Sequence, residues 1–325
     1  MDFLLNPGRL LSLTGLHYNL APKLADLSDL FRIGETPKVI WDLRSAVPGR
    51  QSLSALTSLA AICKTVGDYI GLPSIVLHSL DPEILKFWCD VGFIRITREN
   101  RSLDWNPNHI LEYSSTAPST NTGIIQISSD PQPPESSKTQ HYEWKDLKRL
   151  RYSSLFVVRT SMMLQQAGVP ATASQEIAVF ASELVLNSVT HGKSTAFIAF
   201  QDSRRAVSVS VCDAGIGFRN SIRRKSFSIP IDDSFDDLDA IFTGCFVNRQ
   251  GVGLRGAIDF VVGQMGTVLL SSEKGELLWT EKNWLPLRNA NSKQRDNAHY
   301  IPLRIREHLG DPHQGSVSPA ESVRG

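Results

Sequence analysis

Apolar and polar positions along the chain fall into two regimes, separated by a polar, proline-rich stretch. In the first regime, Lys38 to Leu43 (KVIWDL) and Ser74 to His78 (SIVLH) are short apolar runs of the kind shown by strands buried on both faces. Ser54 to Tyr69 and Pro82 to Val91 instead carry their apolar residues at helical spacing. The order strand, helix, strand, helix predicts parallel strands joined by right-handed crossovers.

In the second regime, Tyr142 to Gln166 reads as mainly helical, and Ser174 to Thr190 as a further helix with Thr172 or Ser174 as its cap. Ala196 to Phe200 and Val207 to Cys212 read as strands. In the latter, Val207, Val209 and Val211 alternate with Ser208 and Ser210, which gives one apolar and one polar face. An apolar helix follows from Leu254 to Val262. Helices against a hairpin-rich sheet predict an α/β sandwich, with a ligand between the layers.

The stretch between the regimes, Ser114 to Gln140, is dense in Ser, Thr and Pro and offers too little apolar surface to offset the entropy of ordering it. It predicts a linker at 114–140, within which Ile124 to Ile127 can form a short strand. The expected organisation is therefore a first domain over 1–113, the linker, a second domain over 141–308 and a disordered tail at 309–325. A further polar segment, Asn289 to Asn297, interrupts the second domain.

At 325 residues and 41% hydrophobic content, the chain suffices for two modest cores. A net charge of +1 gives no electrostatic reason to expect nucleic acid or a membrane surface as partner. Cys63, Cys89, Cys212 and Cys245 form no CxxC pair, so neither a disulfide framework nor a zinc site is expected; reduced thiols suit a cytoplasmic protein. The first residues are leucine-rich but broken by Asn6, Pro7, Gly8 and Arg9, unlike a signal peptide. No apolar run is long enough to cross a bilayer.

Three clusters carry the candidate chemistry. Glu183, Asn187 and His191 are spaced four apart on one helix, so they project from nearly one face. The amide oxygen of Asn187 is a sufficient protein ligand for Mg2+, which keeps waters and shares substrate phosphates. Glu183, one turn away, can orient or deprotonate an attacking water or hydroxyl. A solvated helix face with His191 as its cap would give the same letters. Asp213 ends a strand and is followed by Gly215 and Gly217, which allow a sharp turn and a close backbone approach to a ligand. Its carboxylate can accept from the exocyclic amine of adenine, although Asp and Gly are also ordinary turn residues. Gly251 and Gly253 lead into the helix at Leu254 and present backbone amides and a helix dipole to phosphate, with Arg249 and Arg255 adding charge. Between them, Arg219 to Gln250 is polar and charged, as a lid or a plain solvated loop would be.

Taken in order, SELVLNSVTHG, DAGIGF and GVGL resemble the GHKL ATPases, a family that includes the catalytic domain of histidine kinases, the gyrase ATPase domain and the anti-sigma-factor serine kinases. The resemblance covers roughly residues 141 to 308 and is nearest the anti-sigma kinase branch. It implies a two-layer α/β sandwich (the Bergerat fold) that binds ATP and Mg2+. It further implies Glu183 as general base, Asn187 as magnesium ligand, Asp213 as adenine reader and Gly215, Gly217, Gly251 and Gly253 as the nucleotide-loop glycines. Where the family often has Gly-Thr before its last strand, this chain has Asn297 and Ala298. The phosphoacceptor histidine of a sensor kinase is missing from the helix after Tyr142. Residues 10 to 113 look like a STAS domain, in which Ser52 or Ser54 would stand near the acceptor position; both also suit helix capping. The implied protein is a bacterial, cytoplasmic regulator: a serine/threonine protein kinase or ATPase with a STAS-like or sigma-factor-type protein partner, in which a homodimer remains open. An ATP-gated conformational switch and a non-catalytic nucleotide-binding scaffold are the alternatives.

Overall fold

The computed structural model describes residues 1–10, 13–48, 51–78, 81–106, 122–127, 157–166, 168–188, 195–203, 206–213, 215, 240–241, 254–263, 266–272, 275–280 and 284–288. These build a mixed α/β fold with small parallel and antiparallel sheets.

Strands β1 (Asp2–Leu5), β2 (Lys38–Leu43), β3 (Ser74–His78) and β4 (Leu103–Asp104) form one parallel sheet in chain order. The intervening helices are α1 (Leu13–Arg32), α2 (Leu53–Ile70), α3 (Pro82–Asp90) and α4 (Phe93–Glu99). Right-handed crossovers between neighbours in sequential order place every helix on the same side of a sheet. The register agrees: Leu5, Trp41 and Val76 lie abreast and buried, whereas Leu4 and Leu77, on the opposite face, are exposed.

Helix ends follow their local chemistry. The Ser52 hydroxyl caps α2 by accepting from the Ala55 amide at 3.3 Å, and Gly71 closes the helix at φ 72°, a conformation that favours glycine. Ser52 thus does the work of a cap. Asp81 caps α3 in the same way, with Pro82 at its first position.

Within the Ser/Thr/Pro-rich segment the chain forms β5 (Thr122–Ile127), which pairs antiparallel with β6 (Ala196–Ser203); β6 pairs in turn with β7 (Ala206–Asp213). A further antiparallel sheet runs β8 (Val268–Ser272), β9 (Gly275–Trp279), β10 (Trp284–Arg288), with β9 in the centre. Two helices flank these strands in sequence, α5 (Ala171–Asn187) and α6 (Leu254–Gly263). Residues 157–166 are also helical. Helix α5 starts three residues ahead of the expected Ser174. Pro170 stands at its N-cap, and the Ser174 hydroxyl donates back to the Val169 carbonyl at 3.0 Å instead of capping. Proline has no amide donor to lose there and its φ suits the helix entry.

The two sides of the β5–β6–β7 sheet serve different cores. Ile198, Phe200 and Val209 pack with Ile177, Phe180, Ala181 and Val185 of α5, Ile258 and Val261 of α6, and Leu277 and Trp279 of β9. Phe197 and Ala199 point the other way and join the core of the parallel sheet, with Cys212 packed against it. Helix α2 lies between, against β6 and β7. Every residue from Leu53 to Ala61 is buried as a result. A helix enclosed on all sides is what lies between two sheets. The layers run parallel sheet, helices, antiparallel strands, helices.

The expected tail at 309–325, the polar segment Asn289 to Asn297, the Asn297–Ala298 pair and residues 142–156 lie outside the described residues. So does the expected lid from Arg219 to Gln250, except for Ala240 and Ile241, which are fully buried. No helix among the described residues is long and apolar enough to cross a membrane. Cys63, Cys89 and Cys212 are free thiols.

Candidate functional site

Helix α5 turns Ile177, Phe180, Ala181 and Val185 into the core, with Leu184 partly buried beside them. Glu183 and Asn187 flank this stripe and are half-buried, one turn apart as their spacing predicts. Asn187 is the last residue of the helix, and Ser188 follows as its C-cap.

Ser188 joins the helix end to the strand end. Its hydroxyl donates to Asp213 Oδ2 at 2.7 Å and also lies 3.1 Å from the Leu184 carbonyl oxygen. A hydroxyl has one proton, and the shorter, charge-assisted contact to the carboxylate is the stronger. The other carboxylate oxygen, Asp213 Oδ1, accepts from the Gly215 amide at 2.8 Å, an aspartate turn that fixes the chain after the strand. Each oxygen keeps a second lone pair, and the Asp213 side chain is exposed. The carboxylate is therefore aimed from both ends and still able to accept from a ligand donor.

Helix α6 packs against α5, with Ile258 and Val261 in the same core as Ile177 and Phe180. Its first described residue is Leu254, directly after the position of the GVG loop. The Arg255 guanidinium lies 3.4 Å from Asp259 one turn along, so part of its charge is met within the helix. The structure thus brings Glu183 and Asn187 on α5, Asp213 and Gly215 at the end of β7, and Leu254 of α6 onto elements that pack together. His191, Gly217, Arg249, Gly251 and Gly253 lie outside the described residues.

Directly before Asp213, burial pushes the Cys212 thiol up to about 12; a contact from Ser210 works against this and the charge of Asp213 adds to it. Cys212 is therefore a neutral thiol at physiological pH, facing α2. Among the described residues there is no cluster of His, Cys, Asp and Glu that would hold a metal by itself. Mg2+ shared between a single amide oxygen and phosphates needs no such cluster.

Ser188 is the residue that the spacing argument missed. It follows Asn187 directly and so points about 100° round the helix from it, off the predicted face. Its only signal in the sequence is a small hydroxyl residue where a helix nears its end.

Comparison with family models, with curated proteins and with solved structures gave no match.

Proposed function

We propose that this chain binds Mg-ATP where α5, β7 and α6 meet, and that it works as a regulatory protein acting on other proteins. The observation that carries the reading is the Ser188–Asp213 hydrogen bond, which sets the strand-end carboxylate beside the helical turn bearing Glu183 and Asn187. Asp213 reads the adenine amine, Asn187 supplies an oxygen to Mg2+, and Glu183 orients or deprotonates the attacking nucleophile. By the family resemblance Gly215, Gly217, Gly251 and Gly253 are the nucleotide-loop glycines, and Leu254, Arg249 and His191 belong to the ATP-binding set. These roles rest on the GHKL resemblance and on the packing of the three elements. In the same reading the architecture is a Bergerat-type sandwich with a STAS-like unit before it.

The reaction class follows from the acceptor. A serine or threonine of a STAS-like or sigma-factor-type partner makes the protein a kinase; water makes it an ATPase. Purified protein incubated with Mg2+ and γ-labelled ATP, alone and with cell extract, tests both. Label on protein supports the kinase, and inorganic phosphate alone supports the ATPase. No heat of binding to Mg-ATP removes the proposal.

A second reading, an ATP-gated conformational switch, is favoured by one observation. The back of the β6–β7 sheet is covered by α2 of the first unit, so strain at the end of β7 has a helix to act on.

A further inference from the structure

Three groups far apart in sequence form a polar chain between the layers. Glu276 on β9 is 1% exposed, and its Oε1 lies 3.4 Å from Nδ1 of His17 on α1; His17 Nε2 lies 3.2 Å from the Ser58 hydroxyl on α2. The order Ser, His, Glu is that of a nucleophile, a base and an orienting acid. Ser58 nevertheless lies in the interior of α2, where the backbone amides are already bonded within the helix, and so α2 itself offers it no backbone oxyanion donor.

The position of the chain points to another role. α1 and α2 belong to the unit built on the parallel sheet, whereas β9 sends Leu277 and Trp279 into the core shared with α5 and α6. The contact ties a buried carboxylate of β9 to α1 and, through His17, to α2, so it joins three elements of the two units. The cohesion is uneven: Phe197 and Ala199 of β6 and Ile124 of β5 enter the core of the parallel sheet, whereas the contact of α2 with β7 is lean. α2 is rich in small residues, Ser54, Ala55, Thr57, Ser58, Ala60 and Ala61, and β7 offers Ser208, Ser210 and Cys212 to it. Small and hydroxylated side chains bury little apolar area, and such an interface can open below the free energy of global unfolding.

We propose that the Glu276–His17–Ser58 chain is a latch holding the helical layer of the first unit on the antiparallel strands, and that its release regulates the nucleotide site through β7. The regulatory half rests on the Mg-ATP reading above; the latch does not. When α2 lifts from β7, the half-buried Cys212, one residue before Asp213, becomes fully open to water, and the bond between Asp213 and Ser188 loses its backing. By reciprocity, a ligand on Asp213 favours the closed latch.

Cys212 reports the opening, because a half-buried, neutral thiol packed against this core reacts faster once that cover is removed. Thiol labelling of the full chain, followed by peptide mass spectrometry, is compared for wild type, Glu276→Gln, His17→Gln and the double variant. Circular dichroism melts confirm that each is folded, and either single variant suffices if the other fails to fold. The latch predicts that Cys212 labelling rises about tenfold or more in each single variant, with little further rise in the double. Wild-type rates in the folded variants overturn it. In wild type, saturating Mg-ATP slows Cys212 labelling; equal rates in protein that calorimetry shows to bind Mg-ATP overturn the coupling. Absence of calorimetric binding overturns the nucleotide reading instead, and the variants still decide the latch.

Discussion

Ser188 donates a 2.7 Å hydrogen bond to Asp213, tying the end of helix α5 to the end of strand β7. Two segments with different periodicities are thereby fixed to one another at the point where their candidate functional residues stand. The bond is charge-assisted and partly shielded, which places its worth at about 1.5–3 kcal/mol. Ser188→Ala is expected to weaken Mg-ATP binding by about tenfold while leaving the helix content unchanged, and Ser188→Thr to retain most of it. Isothermal calorimetry on both variants decides this, since equal affinities for wild type and Ser188→Ala would detach the serine from the site.

Asp213→Asn keeps the size of the side chain and puts an amide donor where the carboxylate had only acceptors. Thermal protection by Mg-ATP should disappear in this variant. Protection by Mg-GTP should be weak in wild type as well, because guanine lacks the exocyclic amine at that edge. A melting curve that responds equally to both nucleotides would show that Asp213 does not read the base.

Glu183 and Asn187 separate chemistry from binding. Glu183→Gln should bind Mg-ATP with nearly the wild-type affinity and release or transfer phosphate about 10² to 10⁴ times more slowly, the usual contribution of a general base. Asn187→Ala should instead lower affinity in a way that depends on the Mg2+ concentration. Titration of Mg2+ at fixed ATP distinguishes the two, and a Glu183→Gln protein with full turnover would exclude the glutamate as base.

Phe197 is buried between β6 and the core of the parallel sheet, so truncating it opens a cavity between the units. Phe197→Ala is expected to cost about 3–5 kcal/mol. Calorimetry should show one lowered transition for the described fold. Two transitions, of which only one moves, would mean that the units melt independently.

The acid limb of stability has a nameable contributor in Asp42. The Arg44 side chain bonds both of its carboxylate oxygens, at 2.8 and 2.9 Å, and holds its pKa below the ordinary carboxylate range, with burial working in the opposite direction. A depressed folded value means that the contribution is complete above the unfolded pKa and is lost as pH falls through the folded one. Asp42→Asn should therefore narrow the gap in melting temperature between neutral and strongly acidic buffer. Because Arg44 is largely exposed, the change is expected to be small.

Much of the secondary structure was legible in the letters, and the reasons are local. β2 and β3 match their apolar runs residue for residue, and α2, α3 and α6 follow their helical spacing to within a residue at each end. β1 was hidden because Asp2 on one side and Asn6, Pro7 and Gly8 on the other cut its apolar run to Phe3, Leu4 and Leu5, too short to show alternation. α1 carries Pro22 in its interior, which lowers any helical expectation. The alternation of β7 was plain, but the destination of its polar face was not. Nothing in Ser208 or Ser210 says that a helix of small residues lies against them. The helix and strand ends carrying Glu183, Asn187 and Asp213 could be expected from spacing, whereas the bond from Ser188 depends on how two elements cross. His17, Ser58 and Glu276 come from three elements, and their meeting is a product of the tertiary fold.

The first half of helix α2, from Leu53 to Ala61, has no outward side on which sequence could drift freely. At Ser54, Thr57, Ala60 and Ala61, all 8% exposed or less, an added methylene is pressed against neighbours on one flank or the other. The segment of the chain with the plainest composition is thus the one least able to accept change. Random mutagenesis should leave it nearly blank of tolerated larger residues, in a band that the hydrophobicity of the sequence alone would never mark.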